Sequence, residues 1–447
     1  MRTGRENAFK FLQAGSKAPF SHRHSMSSSL AFSVLFAVFL ILSLAVRFWL
    51  GSRHIRHVLA HRSAVPAEFA EKISLYAHQK AADYTVAKTR FGLIALAVNA
   101  AVLVGFTLLG GLQYLSVTLY ELTGPGMTYQ LSLLAAYAGI SALIDLPFDY
   151  YRQFVLEAKF GFNKMTVGLF VSDLVKNVLI GAAVGLPLTW VILTLMSKSG
   201  DLWWLYAWFV WSGFQLLMLV LYPTVIAPLF NKFTPLQDET LRSRIESLMQ
   251  RVGFASKGLF VMDGSKRSAH GNAYFSGFGA AKRIVFFDTL LARLGPQEIE
   301  AVLAHELGHF KLKHVIKRIV MMFILSLGFL ALLGYLKQQV WFYTGLGVDP
   351  ILLTNNDAMA LILFTLTLPV FTFLFSPLIS LSSRKHEFEA DAFAATHTNP
   401  QDLVSALVKL YEDNASTLTP DPIHSAFYDS HPPASVRIRQ LQLQAGR

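Results

Sequence analysis

The sequence predicts an α-helical membrane protein: seven transmembrane helices with a small α/β domain gathered at one face of the bundle. Three observations predict it. Of 447 residues, 53% are hydrophobic and only 15% charged, and a mean hydropathy of +0.43 is not that of a soluble chain. Seven apolar runs are long enough to cross a bilayer at about 1.5 Å rise per residue. Between the fifth and sixth runs lies a polar stretch of alternating helix and strand patterns.

Residues 1–27 are polar and basic, with Arg2, Arg5, Lys10, Lys17 and Arg23, and are expected to form a disordered extension. Residues 28–230 hold transmembrane helices one to five with their cytoplasmic loops, the apolar runs falling at about 29–50, 91–115, 129–148, 167–196 and 202–230. The first run is too long for a signal-peptide core and no small-x-small site follows it, so it reads as an anchor. Residues 231–317 form the extramembrane domain, with a helix at 236–252, strands at 258–263 and 282–287, and a Gly- and Ser-rich connection from Gly264 to Gly279 suited to a ligand cleft. Helices six and seven occupy 318–382, and 383–447 completes the domain as a helical tail broken by a Pro-rich stretch at 420–433.

Lysine and arginine set the orientation. Residues 51–90 carry seven of them and 149–166 carry three, whereas 116–128 have none and 197–201 only Lys198. The loops after runs one, three and five and the tail are therefore expected in the cytoplasm. The basic extension breaks this pattern, and translation starting at Met26 would remove the conflict. The net charge of +11 is spread in short blocks between apolar runs, which favours membrane topology and excludes a nucleic-acid partner. There is no cysteine, so disulfides and Cys-ligated zinc are ruled out.

Within a helical pattern from Pro296 to about Lys317 stands His305-Glu306-Leu307-Gly308-His309. Imidazoles four residues apart on one helix face can grip one zinc ion, and Glu306 beside the first is aimed at the remaining position, where it takes a proton from water. A catalytic zinc needs a third protein ligand. The extension that would place it on the same helix is missing, because Leu312 and Val315 stand where glycine and histidine are required. His314 falls one residue early and reads as a surface or interface histidine. A separate tract, His386-Glu387-Phe388-Glu389-Ala390-Asp391, supplies Glu387 as third ligand and, one turn on, Asp391 as the acceptor that orients a ligating imidazole. Glu389 points elsewhere. Ala390 and Ala394 are small enough to let this helix pack against the first.

Further tracts carry a resemblance: Phe154 to Lys164, Tyr222-Pro223 with Pro228 to Leu236, Ser268 to Phe275, and Ser430-His431-Pro432-Pro433 with Arg437. Together with the two metal motifs they resemble the CAAX prenyl protease 1 family, integral-membrane zinc metalloproteases, and the missing retention signal at the chain's end points to a bacterial-type member. The resemblance implies a water-filled chamber enclosed by the seven helices, and removal of the last three residues from substrates ending in a prenylated Cys. It also singles out His270, Asn272 and Ala273 as substrate-binding residues, Asn272 and Ala273 lying beside a possible edge strand able to pair with an extended peptide. His431 is implied as an oxyanion-stabilising catalytic residue and Arg437 as holding a substrate carboxylate or the site's framework; Glu157 and Asn163 read as structural.

The expected cofactor is one Zn2+ per chain. The expected partners are a peptide or membrane-protein substrate, possibly prenylated in the sense the resemblance implies, and the lipid bilayer, around a monomer. The membrane is the inner or plasma membrane in a bacterium and the endoplasmic reticulum in a eukaryote. Two competing readings were weighed: a general membrane-protein quality-control protease without prenyl specificity, and a transporter or receptor, invited by Asp145, Asp173 and Lys176 inside apolar runs. A motif buried within a span is excluded by Lys311, Lys313, Lys317 and Arg318 around it.

Overall fold

A chain in hydrocarbon must satisfy its own backbone N–H and C=O groups, so apolar runs of this length fold as helices. In the computed structural model, which describes residues 21–255, 258–276, 283–350 and 356–445, the first half comprises α1 (Ser21–Ala60), α2 (Leu75–Phe106), α3 (Gly111–Thr123), α4 (Met127–Tyr151), α5 (Val167–Lys198), α6 (Trp203–Leu221) and α7 (Ala227–Phe230). Seven helices among the described residues are long and apolar enough to cross a membrane, in the order expected. The expected disordered extension lies outside the described residues up to 20, and from Ser21 the chain is already helical, ahead of the expected boundary.

The second span also differs. It starts at Leu75, where the Ser74 Oγ accepts the Ala77 N–H at 3.1 Å. Its first turns carry Lys80, Asp83, Lys88 and Arg90 and so extend the helix beyond the apolar run. It stops at Phe106, because Gly110 turns the chain at φ +78° before α3. Six of the seven spans bury at most 17% of their most apolar window.

The polar stretch folds as β1 (Phe233–Pro235), α8 (Glu239–Arg251), β2 (Leu259–Met262), β3 (Ala273–Ser276), β4 (Arg283–Phe287), α9 (Asp288–Leu291) and α10 (Pro296–Lys311). The four strands lie in the order β1-β2-β4-β3, with β2 and β4 parallel, which leaves β3 at an edge. Then follow α11 (His314–Leu336), α12 (Val340–Thr344), α13 (Asp357–Thr372), α14 (Ser376–His397), α15 (Pro400–Asp413), α16 (Pro422–Tyr428) and α17 (Ala434–Ala445). A single 3-10 turn, Phe373–Phe375, joins α13 to α14. The seventh span therefore runs on into the domain, where a separate tail was expected to begin.

The domain core collects Leu241, Ile245 and Leu248 of α8, Ile284 and Phe286 of β4, Leu303 and Leu307 of α10, Leu407 of α15, and Ile438 and Leu441 of α17, all nearly inaccessible. Burying each such side chain contributes about 1.5–3 kcal/mol. The acidic residues of the first turns of α10 are not solvated. Glu298 accepts the Gly295 N–H at 2.7 Å and binds Ser405 and Lys409 of α15. Glu300 pairs with Arg244 and Arg251 of α8. Thus α10 is held from both sides.

Candidate active site

The site sits where α10 crosses α14. A Cβ at Gly308 would lie 3.1 Å from both the Ala390 Cα and the Phe393 Cβ, so any larger residue would press the two helices apart by a few tenths of an ångström, and Ala390 and Ala394 are fully buried beside it. The crossing brings three side chains from two helices to one point. His305 Nε2 and His309 Nε2 are 3.3 Å apart, and Glu387 places Oε2 3.5 Å from the first and Oε1 3.4 Å from the second. Ligands about 2.0–2.2 Å from a tetrahedral zinc are separated by about 3.3–3.6 Å. Glu387 thus turns one oxygen toward each histidine, and one ligand atom from each of the three residues lies within 4.8 Å of the other two, a set that can close on one such ion. Glu387 Oε2 is a buried oxygen with no hydrogen-bond donor, which is the expected state of an oxygen reserved for a cation.

Behind this face lies a second layer. Asp391 Oδ1 is 2.8 Å from His305 Nδ1, and Arg437 clasps both Asp391 oxygens at 2.8 and 2.6 Å. Both are buried. Burial opposes a charge on His305, yet its hydrogen bond to Asp391 and the nearby Glu387 carboxylate prevail and raise its pKa to about 9. Glu306, next along α10, is partly exposed and lies outside this network, free to meet a solvent molecule or substrate.

His309 has its own support, which sequence reasoning missed. The continuous helix expected to Lys317 breaks at Leu312 and Lys313, the latter at φ +58°. That turn swings His314, only 2% exposed, back until its Nδ1 is 3.0 Å from His309 Nδ1. His314 Nε2 is then 2.9 Å from Glu389 Oε2. His314 is thus no surface histidine, and Glu389, though facing away from Glu387, is bonded to the site through it. When His309 uses Nε2 as a ligand its proton resides on Nδ1, so the chain of donors runs from His309 to His314 to Glu389. Lys313 is not a residue that announces a left-handed turn. The available hint was a histidine within reach of one motif and a carboxylate inside the other.

The remaining candidates separate into groups. His431 stands at the open side, 62% exposed at its side chain, with Nε2 3.4 Å from Glu387 Oε1 and Nδ1 3.0 Å from Ser430 Oγ. Arg437 performs the framework part of its two expected roles through Asp391. Ala273 opens edge strand β3: because the Phe287 N–H donates to the Asn272 carbonyl, the Ala273 N–H and C=O point away from β4. That N–H is held at 2.8 Å by the Asn272 side-chain oxygen. Phe275 of the same strand packs on Phe310 of α10, ring centroids 5.1 Å apart, which ties β3 to the helix that carries His305 and His309.

His270 is placed apart from these. It stacks on Phe162 at 4.4 Å and faces Asn414 Oδ1 at 3.1 Å and Glu157 Oε2 at 3.5 Å. Glu157 also accepts the Tyr84 hydroxyl, and Asn163 accepts the Met165 N–H, which ties this loop to α2 and to residues 267–269. Asp173 and Lys176 are absorbed in the same way: Arg267 grips Asp173 at 2.8 and 3.0 Å, and Lys176 donates to the Leu229 carbonyl. Of the charges that invited a transporter reading, Asp173 thus docks the domain's Arg267 on the bundle and Lys176 ties two spans together.

Two family models match the chain: a CAAX prenyl protease N-terminal region of five membrane helices over residues 54–232, and peptidase family M48 over 235–445. A CAAX prenyl protease 1 homolog of Arabidopsis thaliana is 41% identical over 316 residues, spanning 70% of this chain and 73% of the relative. The Saccharomyces cerevisiae CAAX prenyl protease 1 is 35% identical over 406 residues, with 84% and 88% covered. The crystal structure of S. mikatae Ste24p superposes with a TM-score of 0.83 at 33% identity, covering 92% of this chain and 98% of that one. Two helices that carry a metal-type cluster at the end of a seven-span bundle, together with these likenesses, show that the chain belongs to the CAAX prenyl protease 1 family of M48 membrane metalloproteases.

Proposed function

We propose that this protein is a zinc endopeptidase of the cytoplasmic membrane face that removes the C-terminal tripeptide from prenylated CAAX proteins. The observation that carries it is the convergence of His305, His309 and both Glu387 oxygens, at nitrogen–nitrogen and nitrogen–oxygen distances of 3.3–3.5 Å, directly beside the partly exposed Glu306. His305, His309 and Glu387 hold the ion, one per chain, and Asp391 fixes the tautomer of His305. When bound, zinc supplies Lewis acidity that polarises the scissile carbonyl and makes a nearby water acidic. Glu306 takes the proton from the attacking water and hands it to the departing amide nitrogen. His431, exposed beside Glu387, donates to the oxygen on which negative charge develops. The substrate lies extended along β3, where the Ala273 N–H exchanges its bond to Asn272 for one to the peptide. His270 sets the shape of the loop that carries these residues, and Arg437 holds Asp391 in place.

The cytoplasmic orientation rests on the basic loops at 51–90 and 149–166. It places the site at the plasma or inner membrane in a bacterium and at the endoplasmic reticulum in a eukaryote, with the chain working as a monomer in lipid. The test is cleavage of two matched quenched peptides differing only by a farnesyl group on the cysteine, with Glu306→Gln as control. Cleavage of the farnesylated peptide alone is the expected result. Equal Glu306-dependent cleavage of both would replace the prenyl reading with a general endopeptidase of the membrane face. No Glu306-dependent cleavage would remove the proposed chemistry.

A further inference from the structure

The crossing of α10, α11 and α14 holds another set of metal-type ligands. His314 Nε2 lies 2.9 Å from Glu389 Oε2, and the His386 ring stacks on His314 with centroids 4.1 Å and planes 15° apart. One ligand atom from each of His314, His386 and Glu389 lies within 4.8 Å of the other two. His314 is buried while His386 and Glu389 are partly exposed, so the cluster has a closed floor and an entrance. Two imidazoles and a carboxylate with an open position form a ligand set for a borderline divalent cation.

We propose that His314, His386 and Glu389 bind a second divalent cation of the zinc class, more weakly than the first site, and that filling it slows hydrolysis. The weaker grip follows from geometry: the stacked rings of His314 and His386 direct their in-plane lone pairs side by side, so one ring must turn before both reach one ion. Lys385 also stands 3.9 Å from Glu389, and Lys317 and Arg318 stand near His386. The inhibition follows from the shared histidine. An ion on His314 Nε2 takes that nitrogen's lone pair, so the ring proton moves to Nδ1, which faces His309 Nδ1 at 3.0 Å. With His309 bound to the first ion through Nε2, its Nδ1 carries a proton too. Two donors then face each other, and the bond that orients His309 is lost. The coupling rests on the reading of His309 as a zinc ligand; the second site does not.

The experiment uses the full chain in detergent micelles, stripped with a chelator and titrated with Zn2+, counting bound metal by mass spectrometry after equilibrium dialysis. Wild type should bind two ions and His386→Phe one. Phenylalanine preserves the stacking on His314 and touches no part of the hydrolytic machinery. Glu387→Ala should bind one ion and the double variant none. Wild-type activity should peak near one equivalent and fall roughly tenfold or more as the second ion enters, the scale on which losing a ligand's outer partner acts. His386→Phe should keep the peak rate without the fall. One ion in wild type that His386→Phe retains, or two in His386→Phe, overturns the second site. A second ion that leaves the rate unchanged overturns the coupling. One ion in Glu387→Ala with none in His386→Phe would instead sink the first-site reading and leave the second standing.

Discussion

Two clusters at one helix crossing share an inventory of two histidines and a glutamate, and differ in everything around it. In the first, His305 and Glu387 are 6% and 4% exposed, the histidines and the carboxylate converge at 3.3–3.5 Å, and Asp391 and Arg437 lock the arrangement from behind. In the second, only His314 is buried, Glu389 is about a third exposed at its side chain, and lysines surround it. One cluster stands next to a carboxylate free to move protons; the other does not. Ligand type alone therefore does not make a hydrolytic site. Preorganisation and a spare base do.

The sharpest way to break the comparison is to remove that base. Glu306→Gln should lower the rate by about 10²- to 10⁴-fold while metal content stays at the wild-type level. Glu387→Ala should lose first-site metal and activity together. Side-by-side metal analysis and peptide cleavage distinguish them. Should Glu306→Gln also lose its metal, the carboxylate is a ligand or a structural group and the distinction between the clusters fails.

Much of the first cluster was legible in the sequence because its information is local. The spacing of His305 and His309 is a helix property, and the small residues Gly308, Ala390 and Ala394 announce a close crossing. The seven apolar runs were legible for the same reason: length and composition decide insertion. The helix of the second span ends at Phe106 and begins sixteen residues before its apolar run, because Leu75–Arg90 is polar helix that carries no apolar signal. His314 and Glu389 were misread because their meeting depends on one backbone torsion at Lys313. β3 is only four residues long, so period-2 alternation had too few residues to register.

Asp391→Asn tests what the first cluster gains from its backing. The amide keeps one acceptor but loses the charge that Arg437 and His305 share. Metal affinity should fall about 10- to 100-fold, measured by competition with a chelator of known strength. Unchanged affinity would reduce Asp391 to a packing role and narrow the contrast with the second cluster.

A smaller effect follows from the raised His305. In the metal-free protein its proton is retained until pH rises through about 9. The associated stability is complete below the ordinary histidine value of about 6.5 and is lost as pH climbs through about 9. A metal ion must expel that proton, so uptake near pH 7.5 should release about one proton per ion from His305, and affinity should rise about tenfold per pH unit in that window. Calorimetry in two buffers of different ionisation enthalpy reads the proton directly. Zero release would mean that His305 is already neutral and that Asp391 orients it without charging it.

The smallest expected effect, and the one that most directly links the clusters, is that of Glu389→Gln. The glutamine oxygen still accepts the His314 Nε2–H, so the line from Glu389 through His314 to His309 keeps its geometry and loses only its charge. A charge-assisted hydrogen bond exceeds a neutral one by about 1 kcal/mol, and the partial exposure of Glu389 reduces that further. First-site metal affinity should therefore drop only roughly threefold, well short of the change for Asp391→Asn. The same substitution removes a carboxylate from the second cluster, so the inhibition by added metal should weaken far more than the affinity of the first site does. Equal losses in Glu389→Gln and Asp391→Asn would mean that both histidines of the first cluster are backed alike. The asymmetry between a buried, locked support behind His305 and a half-open, adjustable one behind His309 would then be untenable.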